Sequence, residues 1–274
     1  MALLLVVAVW GTTFPLIKST LSSINAIEFV SWRFTLSALL FLPWVRLSWF
    51  KHIQSMVLPA LILGVLNYLG FYLQTDSLNY VSSAQCAFLT AIYVILVPFI
   101  SPMFGLGEYK LAHVIPALVA FLGVACLTGV HLGNLNWGYI ALFLSAICFS
   151  LAIVYLHWIT SKLKATTALT FFQIASIALV ALVGQRFHFP LHAIPFHAVA
   201  VTLWCSVTAT CLSIWAQTHY QCQTTPHQAV IIYSFEPIFA ALFAYMLNGE
   251  PIGLEVLIGG GFIFLALLMS IMVE

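Results

Sequence analysis

Glu236, Arg33 and Lys18 are charged side chains set inside long apolar runs. A charge in such a place costs several kcal/mol unless something pairs it or water reaches it. Glu236 follows Pro226 by ten residues, roughly 15 Å of helix, which puts it near the middle of its run. Its expected chemistry is reversible: a carboxyl that takes up and releases a proton, or one that holds an ammonium-bearing or proton-coupled solute. When protonated it can donate to the carbonyl of Tyr233, which Pro237 leaves without an amide partner. Arg33 lies about 10 Å into its own run. It reads as a fixed cation that pairs a substrate carboxylate or locks an outer gate. Glu28 stands about 140° around the same helix from Arg33, so it is expected to reach Lys18 across the intervening turn.

Neutral groups surround these charges. Thr202, Ser206, Thr210, Ser213 and Gln217 recur at spacings of four, four, three and four, and Asn67, Gly70, Phe71 and Gln74 form a second seam. Such seams either line a wet cavity or join helices through small residues and hydrogen bonds. Trp10, Tyr93, Trp204, Trp215 and Tyr233 are candidate walls for an amphipathic solute. Pro15, Pro98, Pro116 and Pro237 interrupt apolar runs, and Pro15, Pro98 and Pro237 are expected to serve as hinges. His188, His192 and His197 cluster, but Pro190 disfavours the continuous helix that zinc ligation at a spacing of four requires. The six cysteines form no CxxC pair and read as small packing residues. No metal or cofactor is expected, and no Gly-rich phosphate loop, HExxH motif or nucleophile elbow occurs.

The elements that must position these residues follow from composition. Of 274 residues 63% are hydrophobic and 5% charged, with a mean hydropathy of +1.11. A soluble domain carries roughly 25% charged residues, so the solvent for this chain is a lipid bilayer. A net charge of +1 leaves no basic field for nucleic acid. Ten apolar stretches can cross a membrane: 2–21, 26–47, 56–75, 82–104, 111–130, 137–158, 166–184, 198–217, 227–247 and 253–273. The first has no basic leader and carries Lys18 where a small-residue cleavage site would lie, so it reads as a span rather than a signal peptide. The expected fold is an all-α integral membrane protein of ten transmembrane helices, with no room for a soluble catalytic domain. Arg46, Lys51, Lys110, Lys162 and Lys164 fall on one side and Arg186 on the other, which predicts cytoplasmic termini in the cell (inner) membrane.

The chain also repeats itself. Gln74-Thr75, Ser82, Gln85 and Cys86 return as Gln217-Thr218, Thr225, Gln228 and Ala229 at an offset of 143. Gly107-Glu108 returns as Gly249-Glu250 at 142, and Arg33 falls opposite Gln173 at 140. The repeats span 1–130 and 137–273, each with five crossings, and an odd number inverts the second copy. Two inverted five-helix repeats are what a transporter uses to expose one site to either face in turn.

Trp10-Gly11-Thr12-Thr13-Phe14-Pro15 with Lys18, and Arg33 in the second span, resemble the opening of EamA-type members of the drug/metabolite transporter superfamily. Gln74-Thr75, Ala87 to Thr90, Val97-Pro98 and Gly107-Glu108 are similar to the block that follows, and Glu236-Pro237 with Gly249-Glu250 to that of the ninth span. The resemblance covers both halves. It implies ten helices, cytoplasmic termini and export or exchange of small metabolites. The first half departs from it by having no acid in span 4 where span 9 has Glu236, so the halves are expected to differ in role. The expected activity is secondary transport of amino acids or related small-molecule substrates, with proton coupling through Glu236. The alternative is a membrane-embedded lipid-modifying enzyme or a lipid or sugar-lipid flippase. Enzymes of that kind need acids and histidines clustered at one depth near an interface, whereas one mid-membrane acid is present.

Overall fold

The computed structural model describes residues 2–106, 108, 114–127, 136–163, 165–185, 194–224 and 226–272. Gly107, Lys110, Lys164, Arg186, His188, His192 and Thr225 lie outside them. All regular structure among the described residues is helical: α1 Ala2–Thr20, α2 Ala26–Phe41, α3 Ile53–Ser77, α4 Ser83–Thr90, α5 Tyr93–Ile100, α6 Val114–Leu127, α7 Trp137–Thr160, α8 Thr166–Gly184, α9 Phe196–Trp204, α10 Ser213–Gln221, α11 Pro226–Tyr233, α12 Glu236–Asn248 and α13 Leu254–Met272. Helix therefore lies on each of the apolar stretches. Among the described residues seven segments are long and apolar enough to cross a membrane: 2–20, 26–44, 53–77, 83–104, 137–160, 166–184 and 196–221.

The molecule is apolar outside and polar within. Leu5, Leu58, Leu118, Phe143, Val183, Leu242 and Leu257 are exposed, while Arg33, Gln74, Gln173 and Glu236 are buried. Water would not tolerate that exterior, and lipid requires it. Helix starts are set locally. Asn25 accepts the amide of Glu28 and Glu28 returns the bond to Asn25, and Ser82 and Gln85 form the same reciprocal cap on α4. Glu28 is thus committed to its own helix end, and it is Glu250 rather than Glu28 that meets Lys18.

Helix pairs follow a pattern. α1 packs on α12 and α7 on α5; α3 packs on α7 and α8, while α10 packs on α1 and the segment 205–212 on α2. α2 also meets α8, α4 meets α12 and α6 meets α13. Close approach needs small residues: a Cβ on Gly11 would stand 2.5 Å from the Cβ of Phe239 in α12.

Three interruptions shape the interior. The helical stretches 83–100 and 226–248 are each broken in two, at Ala91-Ile92 between α4 and α5 and at Ser234-Phe235 between α11 and α12. These breaks are 143 residues apart, whereas Pro98 and Pro237 are 139 apart. The repeat offset of the sequence therefore falls on the turns and not on the prolines. Pro237 sits in the first turn of α12, where its missing amide costs nothing, and Pro98 lies inside α5. Pro15 lies buried inside α1 and Pro116 buried in α6.

The third interruption is a π-helical stretch, Cys205–Leu212, joining α9 to α10. Thr202, Ser206 and Thr208 turn their hydroxyls back onto the carbonyls four residues earlier, at 2.6–2.7 Å, in competition with the backbone ladder. The amide of Ser213 bonds to Thr208 instead of Ala209. That leaves the Ala209 carbonyl free for partners from other helices.

A polar cavity between the two halves

α4 and α5, α11 and α12, with α1, α2, α3, α7, α8 and α10, line a polar cavity. Each break ends in cavity residues: Thr90 closes α4 and Tyr93 opens α5, while Tyr233 closes α11 and Glu236 opens α12. Tyr93 donates its hydroxyl to Oε2 of Glu236 at 3.1 Å. Both are buried. The partner of the acid is thus a phenol from the other half, and not the Tyr233 carbonyl on its own span. Tyr233 sends its hydroxyl to Oε1 of Gln221 at 3.0 Å and tilts its ring against Trp10, centroids 5.7 Å apart.

Arg33 forms another wall of the cavity and is 2% exposed. Its Nε donates to Oγ1 of Thr210 at 2.8 Å, and Nη2 reaches the freed carbonyl of Ala209 at 3.4 Å. Trp10 Nε1 donates to the same carbonyl at 3.0 Å. The guanidinium also lies over the rings of Phe71 and Phe34, at 4.9 and 5.2 Å. No carboxylate pairs with it among the described residues, so neutral acceptors and two aromatic faces hold a charge that elsewhere would take an acid. Its five N–H donors exceed the acceptors that it meets.

The two seams have different fates. Asn67, Phe71 and Gln74 of α3 line the cavity, and Gln74 donates to Thr90 at 3.3 Å. Gly70 gives its carbonyl to Ser145 of α7 at 2.9 Å. In the other seam only Gln217 lines the cavity. Ser206 bonds to the carbonyl of Arg33 at 3.0 Å, Thr210 to its guanidinium, and Ser37 of α2 to the carbonyl of Ser206 at 3.1 Å. That seam joins helices and supports the cation. The π-helical register turns it toward α2.

Other expected site residues lie elsewhere. Trp204 is 43% exposed on the outer surface, with Nε1 donating to Thr12 at 3.1 Å, and it does not touch the cavity. Lys18 lies beyond the cavity at the end of α1. Thr13, Thr90, Phe149 and Gln173 line the cavity although their residue types alone did not single them out. The repeat could have found two of them: Thr90 corresponds to Tyr233 and Gln173 to Arg33. Gln173 is buried, with an Oε1 that meets no donor among the described residues.

The repeat offset runs through the lining. Phe71 and Ile214, Gln74 and Gln217, Thr90 and Tyr233, and Tyr93 and Glu236 are all cavity residues 143 apart.

The sequence matches the EamA-like transporter family over residues 1–129 and again over 136–272. It is 29% identical over 251 residues to an uncharacterized transporter of Archaeoglobus fulgidus, covering 91% of this chain and 78% of that one. A solved crystal structure, described only as that of a protein, superposes with a TM-score of 0.69 at 13% identity, covering 99% of this chain and 96% of the other. At that identity the likeness is one of fold.

Proposed function

The chain belongs to the EamA-like transporter family, and we propose that it is a secondary transporter that exports or exchanges amino acids or closely related metabolites by alternating access. It is a multi-pass membrane transporter; the substrate, direction and mechanism are our reading. In this reading ten helices cross the cell membrane as two inverted repeats, residues 1–130 and 137–273, with both termini cytoplasmic. The observation that carries it is the cavity, which takes equivalent positions from both halves. A site built on a pseudo-twofold axis faces either side when one half rocks against the other. The paired packing of α1 on α12 and α7 on α5 supports the same symmetry.

The lining supports a zwitterion. Arg33 offers unused donors to a carboxylate, Glu236 with Tyr93 offers acceptors to an ammonium, and Trp10, Phe71 and Tyr233 supply apolar walls. Burial makes each of these contacts count for more than it would in water. Glu236 is the group that couples transport to protons, because an ammonium and a proton compete for one carboxylate. With no nucleotide-binding motif, a proton or solute gradient supplies the driving force.

The test is counterflow. Purified protein in liposomes preloaded with mixed unlabelled amino acids and related metabolites is expected to take up at least one labelled member saturably. Uptake equal to that of protein-free liposomes across the whole mixture would reject the reading.

A further inference from the structure

The bundle carries a polar cluster away from the cavity, at one end of the helices that line it. Lys18 at the end of α1 places Nζ 3.4 Å from Oε1 of Glu250 and donates to the carbonyl of Val81 at 3.0 Å. Ser83, the first residue of α4, gives Glu250 two bonds: its amide to Oε2 at 2.8 Å and its hydroxyl to Oε1 at 2.6 Å. The amide is one of the unsatisfied donors at a helix start, at the positive end of the helix dipole. Asn248, which ends α12, adds a bond from Nδ2 to the carbonyl of Pro15 at 2.9 Å. Glu250 is aimed by Gly249, whose left-handed φ of 63° ends α12.

This cluster ties α1 and α4 of the first half to the α12–α13 link of the second. The cavity residues on the same helices lie deeper: Thr13 is five residues from Lys18 and Thr90 seven from Ser83, about 7 and 10 Å along the axes. Glu236 opens α12 in the cavity and Asn248 closes it at the cluster. All three helices therefore run from the cavity wall to the same knot.

Among the described residues the opposite end shows no such cluster. The repeat places Pro226 where Ser83 stands, and Glu108 takes the place of Glu250. Pro226 has no amide hydrogen, and Glu108 is exposed. The cation Lys162 lies with Nζ 3.3 Å above the ring of Trp158 instead of meeting an acid.

We infer that Lys18, Glu250 and Ser83 form a one-sided latch that closes one mouth of the cavity, so that the resting transporter is biased against opening on that face, the outer one in the orientation proposed above. The latch must part on every cycle that exposes the site there. It rests on the alternating-access reading, and the test separates the two.

In the full chain, with its six native cysteines replaced, Thr13→Cys reports cavity access. Sealed vesicles of each orientation are treated with a membrane-impermeant maleimide. Lys18→Ala and Glu250→Gln are expected to speed labelling from the latch face by about 3- to 10-fold, in keeping with a partly exposed, charge-assisted network, and to slow it from the other. Lys18→Glu combined with Glu250→Lys should recover part of the difference. If Glu250→Gln does not assemble, Ser83→Ala, which removes only the 2.6 Å bond, is judged by the same criterion. Labelling from both faces that ignores every latch variant would overturn the latch and leave alternating access intact. Labelling from one face only, in all variants, would overturn both, and equal acceleration from both faces would mean general loosening and overturn the latch.

Discussion

Tyr93 and Glu236 are 143 residues apart in the chain and 3.1 Å apart in space. Their separation equals the offset at which the sequence repeats. Each is also the first residue after the break in its span. The contact sits where both spans come apart, and only one of its members is an acid.

Glu236→Gln keeps shape and hydrogen bonding while removing titration. The variant is expected to express and fold normally, accept the Tyr93 hydroxyl, and lose gradient-driven transport or its pH dependence. Counterflow, which needs no net driving force, should survive better than uphill flux. Comparing the two modes across pH checks this; a wild-type pH profile in the variant would exclude the acid from coupling.

Tyr93→Phe deletes one hydroxyl from the same contact. A charged hydrogen bond of this kind contributes about 1.5–3 kcal/mol. Flux at a fixed pH should therefore fall by about 10- to 150-fold, with the pH profile displaced rather than abolished, because the acid remains. The pair Tyr93→Phe and Glu236→Gln should be less than additive, as expected of residues in contact.

Most of the helical layout was legible in the sequence because apolar runs report burial in lipid directly. Glu236 and Arg33 stood out for the same reason: an ionised group in an apolar run has few bland explanations. What could not be read was which way each polar group turns. The four-residue spacing from Thr202 to Gln217 assumes an unbroken α-helix, and the π-helical stretch moves Thr210 onto Arg33 and leaves Gln217 alone in the cavity. Trp204 and Trp10 are the same residue type, yet one faces outward and the other the cavity, because helix packing and not residue type decides it.

Gly11 tests the packing of α1 on α12. Gly11→Ala places a methyl 2.5 Å from the Cβ of Phe239 and 3.0 Å from the backbone nitrogen of Ala240, so the two helices must separate. The cost should be about 1–3 kcal/mol. Gly261→Ala, with nothing within 4 Å of the added carbon, should be neutral or slightly stabilising. Thermal unfolding in detergent compares them, and equal melting temperatures would contradict the tight α1–α12 contact.

The proposed orientation is open to a direct check. Cysteines replacing Gly249 and His192 should react with an impermeant reagent from outside intact cells, and one replacing Lys162 should not. Lys162→Cys labelled from outside would invert the topology and move the latch to the cytoplasmic face.

Arg33 is the sharpest test of what the cavity holds. Lysine keeps the charge but loses the planar fork that meets Thr210 and Ala209 together while facing Phe71. If Arg33 only fastened α2 to the π-helical stretch, Arg33→Lys would lower the melting temperature and leave the KM of folded protein unchanged. If its remaining donors take a substrate carboxylate, KM should rise by about tenfold or more at similar stability, since a point charge replaces a bidentate contact. The rise should be confined to carboxylate-bearing solutes. Amides of the same compounds, which never made that contact, should be carried equally by both proteins, and a uniform loss across acids and amides would return Arg33 to a structural role.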